Sequence, residues 1–172
     1  SGVFRGLLED VLGIDRRRAL PPFARQTFTQ WFRARGGSPE TDSMVGKVLL
    51  FPDTFTNYNY PELGRAATLV LESLGYQVIV PGTRCCGRSM LSAGMLDKAR
   101  NNAKFNVSTL LPYVQDGAKV IGLEPSCILS FKDDYVDLLN DLNVRTVADN
   151  VMLFEEFIQY AREKNGVELE FV

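Results

Sequence analysis

Residues 47–80 read KVLLFPDTFTNYNYPELGRAATLVLESLGYQVIV, and the fold turns on how this stretch is divided. Residues 47–51 are a short, continuous apolar run and read as a strand. Pro61 suits the first turn of a helix, Leu63, Ala67, Val70, Leu71 and Leu74 recur on one face, and Gly75 ends it. Residues 76–80 are a second apolar run and a second strand. Strands joined by a helix of this length imply a right-handed crossover and parallel pairing.

The same alternation continues downstream. A loop carries Cys85-Cys86-Gly87, a long helical stretch covers 93–114 and bends or ends near Pro112, and residues 118–123 form a third strand. Pro125-Ser126-Cys127 leads into a helix ending near Asn140, residues 144–147 read as a fourth strand, and 152–164 as a last helix. The predicted fold class is α/β, doubly wound, with about four parallel strands flanked by helices. Upstream, residues 3–12 form an apolar helix-like run ended by Gly13, and Leu20-Pro21-Pro22 breaks it. A second helix then carries Phe23, Thr27, Phe28, Trp31 and Phe32 at spacings near four, and Gly36-Gly37-Ser38-Pro39 closes the segment. Residues 1–43 are thus expected to be an N-terminal helical arm and linker, packing on the main domain or a neighbouring one, and 44–172 the α/β domain.

A chain of 172 residues suffices for one domain with a substantial core. Its formal net charge of -2 gives no reason to expect nucleic acid or an anionic membrane as partner, and the run Arg16-Arg17-Arg18 reads as a solvated face. No apolar stretch has the roughly 18–20 residues that span a bilayer, and the N-terminus lacks signal-peptide order, so the expected compartment is the cytoplasm. No methionine precedes Ser1-Gly2, which suggests a piece of a longer polypeptide. The chain has three cysteines and no histidine. Serine–histidine and cysteine–histidine catalysis and histidine-based zinc sites are therefore excluded within it. An odd count with an adjacent pair, which rarely bridges itself, argues against a secreted disulfide framework.

In an open parallel sheet the carboxyl ends of the strands share one edge, and ligands bind there. Asp53 and Thr54 follow the first predicted strand, Cys85 and Cys86 the second, Glu124 and Cys127 the third, and Asp149 the fourth. All three cysteines fall on that edge. Cys127 lies at a predicted helix N-terminus, which favours its thiolate, and Gly87 allows close backbone approach to a bulky group. The bland reading of each thiol is a small buried hydrophobe. No C-x-x-C run, four-cysteine zinc set or G-x-G-x-x-G is present, so the residues alone point to a thiolate cluster, metal-binding or redox.

Three segments carry a resemblance: residues 51–58 (FPDTFTNY), 85–94 (CCGRSMLSAG) and 124–127 (EPSC). They resemble the CCG or cysteine-rich domain of the iron–sulfur subunits of glycolate oxidase and anaerobic glycerol-3-phosphate dehydrogenase, of lactate-utilisation proteins and heterodisulfide reductase, and of the C-terminal region of FAD-linked D-lactate dehydrogenase-like proteins. The likeness covers about residues 47–160. It implies electron transfer from a substrate-reduced flavin through iron–sulfur centres, in a flavin-linked 2-hydroxyacid (lactate- or glycolate-type) oxidoreductase. It implies a domain that is not catalytic alone. Cys85, Cys86, Gly87 and Cys127 would bind the cofactor, the three cysteines as ligands, with Asp53 or Glu124 as candidate further ligands. FAD would sit in a separate flavin portion. The implied partners are a flavin-dependent dehydrogenase domain or subunit and a second CCG domain, since the family usually carries two in tandem and this chain resembles the first. Peripheral membrane association would arise only through the parent complex.

The fuller family pattern has Gly-Cys where this chain has Asp53-Thr54, and often a cysteine where it has Glu124. Three thiolates remain where a four-iron cluster usually takes four. A carboxylate, a neighbouring domain or an exogenous ligand completes the set, or else the domain is a degenerate, metal-free scaffold that docks a partner. A thiol redox protein, pairing Cys85 or Cys86 with Cys127, is the third reading.

Overall fold

The computed structural model describes residues 2–18, 21–40 and 44–166. The body is a four-stranded, all-parallel sheet built from β1 (Gly46–Leu50), β2 (Tyr76–Ile79), β3 (Lys119–Gly122) and β4 (Val151–Leu153), in the order β2-β1-β3-β4. Val48 pairs with Val78 on one side and Lys119 on the other. The chain leaves β1 toward one side of the sheet and later returns to the other through β3, so the topological switch point lies between the carboxyl ends of β1 and β3.

Side chains alternate across this sheet, and both faces are covered. Leu49 and Val120 pack into one core with Phe131 and Tyr135, against α6 (Leu96–Gln115), α7 (Pro125–Leu129), α8 (Asp134–Leu139) and α9 (Leu142–Ala148). Val48, Leu50 and Ile121 pack into the other with α2 (Phe28–Ala34), α4 (Pro61–Ser73) and α10 (Phe154–Asn165). Burial on both faces is why the strands read as unbroken apolar runs. The remaining helices are α1 (Gly2–Leu12), α3 (Thr54–Tyr58) and α5 (Arg88–Ser92).

Several boundaries differ from the sequence expectation. The β-branched run at 144–147 is helical: it lies in α9, where Val144, Val147 and Ala148 are buried at the i, i+3, i+4 spacing and Asp141 caps the N-terminus through Asn143 N. The fourth strand is instead Val151–Leu153, so Asp149 precedes it and lies at its amino end, away from the cysteine edge. α6 runs through Pro112, and the helix expected to reach Asn140 is two short helices, α7 and α8. The second helix starts at Phe28, because a Thr27–Gln30 capping box sets its origin, and Phe23 stays exposed. On α1, Phe4, Leu7, Val11 and Leu12 are exposed.

α2 presses the arm onto the body. Phe28 is fully buried against Gly64 of α4, where an added Cβ would stand 2.6 Å from the Phe28 ring. The Gly64→Ala variant is expected to displace that ring and cost about 1–3 kcal/mol, as overpacked cores do. A lower melting temperature with altered Trp31 fluorescence is the expected reading, because Trp31 packs beside Phe28 with ring centroids 6.0 Å apart. An unchanged melting temperature and spectrum would mean the arm does not depend on this contact.

Candidate functional site

The carboxyl edge gathers the chemistry. The loop after β2 carries Cys85, exposed, and Cys86, buried; α7, which follows β3, carries Cys127, also buried. The Cys86 and Cys127 sulfurs lie 3.1 Å apart although the residues are 41 positions apart in sequence. The Gly87 backbone N–H approaches the Cys85 sulfur at 3.5 Å. Gly87 itself has φ 87°, a left-handed conformation that caps α5 and that side-chain-bearing residues rarely adopt.

The loop is held by residues with no motif to announce them. Asn106, fully buried on α6, accepts from Arg84 N at 2.7 Å and donates through Nδ2 to Arg84 O at 3.1 Å and to the Tyr135 hydroxyl at 3.0 Å. Tyr135, fully buried on α8, donates to Cys86 O at 2.9 Å. Asn102 donates to Cys85 O at 3.1 Å. The backbone on both sides of Cys85 is thereby clamped to the core. Burial pushes the Tyr135 phenol pKa up, which keeps the hydroxyl proton in place for Cys86 O.

The two predicted carboxylates have definite partners. Asp53 is buried as the N-cap of α3, accepting from Phe55 N at 2.9 Å and Thr56 N at 3.0 Å and from the Thr56 hydroxyl. Glu124 caps α7, with Oε2 accepting from Cys127 N and Ser126 Oγ, each at 2.7 Å. Burial works against the Glu124 charge, but the hydrogen bonds from Ser126 and Cys127 outweigh it and hold its pKa below the usual carboxylate value.

This cap reverses one expectation. The N–H of Cys127 is given to a carboxylate, so the end of α7 does not present an open positive pole to its sulfur. The close Cys86 sulfur, burial and the neighbouring negative charges push the Cys127 thiol up. Cys86, hydrogen-bonded to the Cys127 thiol and receiving the Arg88 backbone N–H, falls to about 7 against the opposing effect of burial. The two thiols titrate as one coupled pair sharing a proton, with Cys86 lowered and Cys127 raised. In reduced, metal-free protein, thiolate ultraviolet absorbance is expected to rise with a midpoint near pH 7, with thiol below and thiolate above. Cys86→Ser should abolish this step and Cys127→Ala should move it upward; a step that survives in Cys86→Ser would assign the thiolate elsewhere.

Three soft thiols suit the donor chemistry of an iron–sulfur cluster, which is held by cysteine thiolates. They make up a partial shell. Two thiolates on one tetrahedral metal stand about 3.8 Å apart, given metal–sulfur bonds of about 2.3 Å. The Cys86–Cys127 separation of 3.1 Å is shorter and suits a shared proton. Among the described residues, no group of three or more histidine, cysteine, aspartate or glutamate side chains is arranged to hold a metal ion.

A doubly wound parallel sheet whose cysteines meet at the carboxyl edge describes a thiol-bearing α/β domain. Residues 49–132 match the family model described as "Cysteine-rich domain" (CCG), and the body of this chain belongs to that family. Over 138 residues the chain is 34% identical to one of the subunits of the anaerobic glycerol-3-phosphate dehydrogenase of Escherichia coli, covering 79% of this chain and 34% of that protein. It is 24% identical over 123 residues to D-2-hydroxyglutarate dehydrogenase of Pantoea ananatis, covering 72% of this chain and 12% of that protein. It is 28% identical over 95 residues to lactate utilization protein A of an Exiguobacterium species, covering 55% and 38%. The chain thus spans about a third of the length of its glycerol-3-phosphate dehydrogenase relative. No solved structure matches at a comparable level. Among the described residues, no helix is long and apolar enough to cross a membrane.

Proposed function

We propose that this chain is an iron–sulfur-binding, electron-transfer domain of a flavin-linked oxidoreductase that acts on a 2-hydroxy acid of the lactate or glycolate type. The observation that carries the reading is the convergence of Cys85, Cys86 and Cys127 on one clamped edge of a cysteine-rich domain. Two of the similar proteins, D-2-hydroxyglutarate dehydrogenase and lactate utilization protein A, are named for 2-hydroxy acids and support the substrate class, whereas the relative at 34% identity is named for glycerol 3-phosphate, which is not one. Cys85, Cys86 and Cys127 would hold the cluster, and its remaining ligand would come from outside this chain, a second cysteine-rich domain being the natural source. When bound, such a cluster supplies one-electron storage between a two-electron flavin and an acceptor. The protein's own part is ligation and burial: the Asn106–Tyr135 clamp fixes the loop, and the low pKa of Cys86 presents a thiolate near neutral pH. Flavin and hydride chemistry belong to a partner domain or protein, the chain acts as part of a longer protein in the cytoplasm, and the arm at 1–43 leads into the domain at 44–172.

The alternative is a metal-free scaffold whose edge docks a partner, and the 3.1 Å proton-sharing thiol pair favours it. Anaerobic reconstitution with iron and sulfide, followed by visible absorption and electron paramagnetic resonance before and after dithionite, separates the two. A spectrum that bleaches on reduction, and that Cys85→Ser and Cys86→Ser each diminish, supports electron transfer. A colourless protein, or a spectrum indifferent to both substitutions, would leave the scaffold.

A further inference from the structure

A cleft of about 400 Å³ lies beside the thiol edge, between α2 of the arm and the loops after β1 and β2. Arg33, Asn57, Tyr58, Thr83, Arg84 and Cys85 line it. Among the described residues lining it are two arginines and no carboxylate. The Thr83 hydroxyl is buried without a hydrogen-bond partner. Asn57 is buried, and its Oδ1 accepts from Thr29 N at 3.0 Å, which fixes the amide in the cleft wall. Arg84 lies with its guanidinium over the Phe105 ring at 4.2 Å, which limits the freedom of the side chain.

The cleft is formed in advance. Ala24 N donates to Tyr58 O at 2.7 Å, Asn59 Nδ2 to Pro22 O at 2.9 Å, and Arg65 to Gln26 Oε1 at 2.9 Å, so the arm is tied over α3 and α4. Its size falls in the range of small-molecule sites, and its uncompensated positive charge selects an anion.

We infer that this cleft binds a small organic anion through a carboxylate or phosphate group, the arginines supplying charge and the Asn57 amide a directional hydrogen bond, at the lip of which Cys85 stands. Arginine suits either oxyanion because its planar fork matches both. The inference stands apart from the cluster reading, since it concerns the polypeptide alone and is tested without metal.

The test is a ¹⁵N NMR titration of the reduced, metal-free chain with inorganic phosphate and, separately, with malonate, at fixed ionic strength held by chloride. Saturable shifts are expected at the amides of Arg33, Asn57, Thr83 and Cys85, with slower alkylation of Cys85 by iodoacetamide when the anion is bound. The double variant Arg33→Gln, Arg84→Gln should weaken binding by about tenfold or more, the loss expected when charge-assisted hydrogen bonds are removed. Both arginines are exposed, so the fold should survive, which unshifted resonances in β1 and β3 would verify. Tighter phosphate than malonate marks a phosphate-bearing ligand, and the reverse marks a carboxylate. Shifts that fail to saturate, that chloride reproduces, that cluster away from the cleft, or that persist unchanged in the double variant would overturn the inference.

Discussion

Asn106→Leu should melt roughly 10 °C below the parent chain and loosen the cysteine loop. The substitution keeps the branched side-chain shape but strands Arg84 N–H and Arg84 C=O and takes from the Tyr135 hydroxyl one of its two partners, leaving it only Cys86 O. Each buried polar group left unpaired costs about 1–3 kcal/mol, so a loss of about 3 kcal/mol or more follows. For a chain of this size each kcal/mol lowers the melting temperature by about 2–4 °C. Tyr135→Phe is milder, because it removes one hydroxyl and leaves Cys86 C=O and one Asn106 N–H to adjust. Cys86, protected in the parent, should alkylate faster in both variants, and faster in Asn106→Leu. Thermal melts with mass-resolved alkylation check this. Parent-like melting in Asn106→Leu would mean the clamp carries no net stability, and parent-like alkylation would mean it does not hold the loop.

Gly122→Val is expected to be more damaging still. Gly122 ends β3, and a Cβ built there would stand 2.3 Å from Cβ of Ile128, the residue after Cys127. No rotamer relieves a clash between two Cβ atoms, so α7 must move away from the sheet and carry Cys127 with it. Overpacking of a core commonly costs about 1–3 kcal/mol, and this contact, on an inner strand, should reach or exceed the upper end. The pairing of Cys86 with Cys127 should be lost together with stability. Ile128→Ala should rescue little, because it removes Cγ1 and Cδ1 but leaves the Cβ pair. A folded Gly122→Val protein that keeps its near-neutral thiolate would contradict the close approach of β3 and α7.

The residues differ in how openly they declare these roles. β1, β2 and β3 are legible because strands buried on both faces need unbroken apolar runs, and the positive φ at Gly75 closes α4 where a glycine is expected. The edge location of the three cysteines follows from those strands alone. Val144–Val147 misleads because four consecutive residues rich in β-branched side chains fit a strand as well as a helix, whereas the true β4 is only three residues long. The distinguishing signs were present: Asp141 ahead as a cap, and Val144, Val147 and Ala148 at helical spacing. Asn106 and Tyr135 carry no motif. The one sequence signal for Asn106 is its place on the α6 stripe of Ala99, Ala103, Val107, Leu110 and Val114, a polar residue where the pattern calls for an apolar one. The choice of Cys86 as the thiolate was hidden, because it depends on Glu124 closing the end of α7 and on a sulfur contact across 41 residues.

The most direct test of the electron-transfer reading is the iron and acid-labile sulfide content of protein purified without oxygen, measured beside Cys127→Ser. Iron and sulfide in the parent, and their loss in Cys127→Ser, are the predicted result. Absence of both from the parent, even after reconstitution in the presence of a thiol to supply the missing ligand, would contradict it and leave the edge as a docking surface.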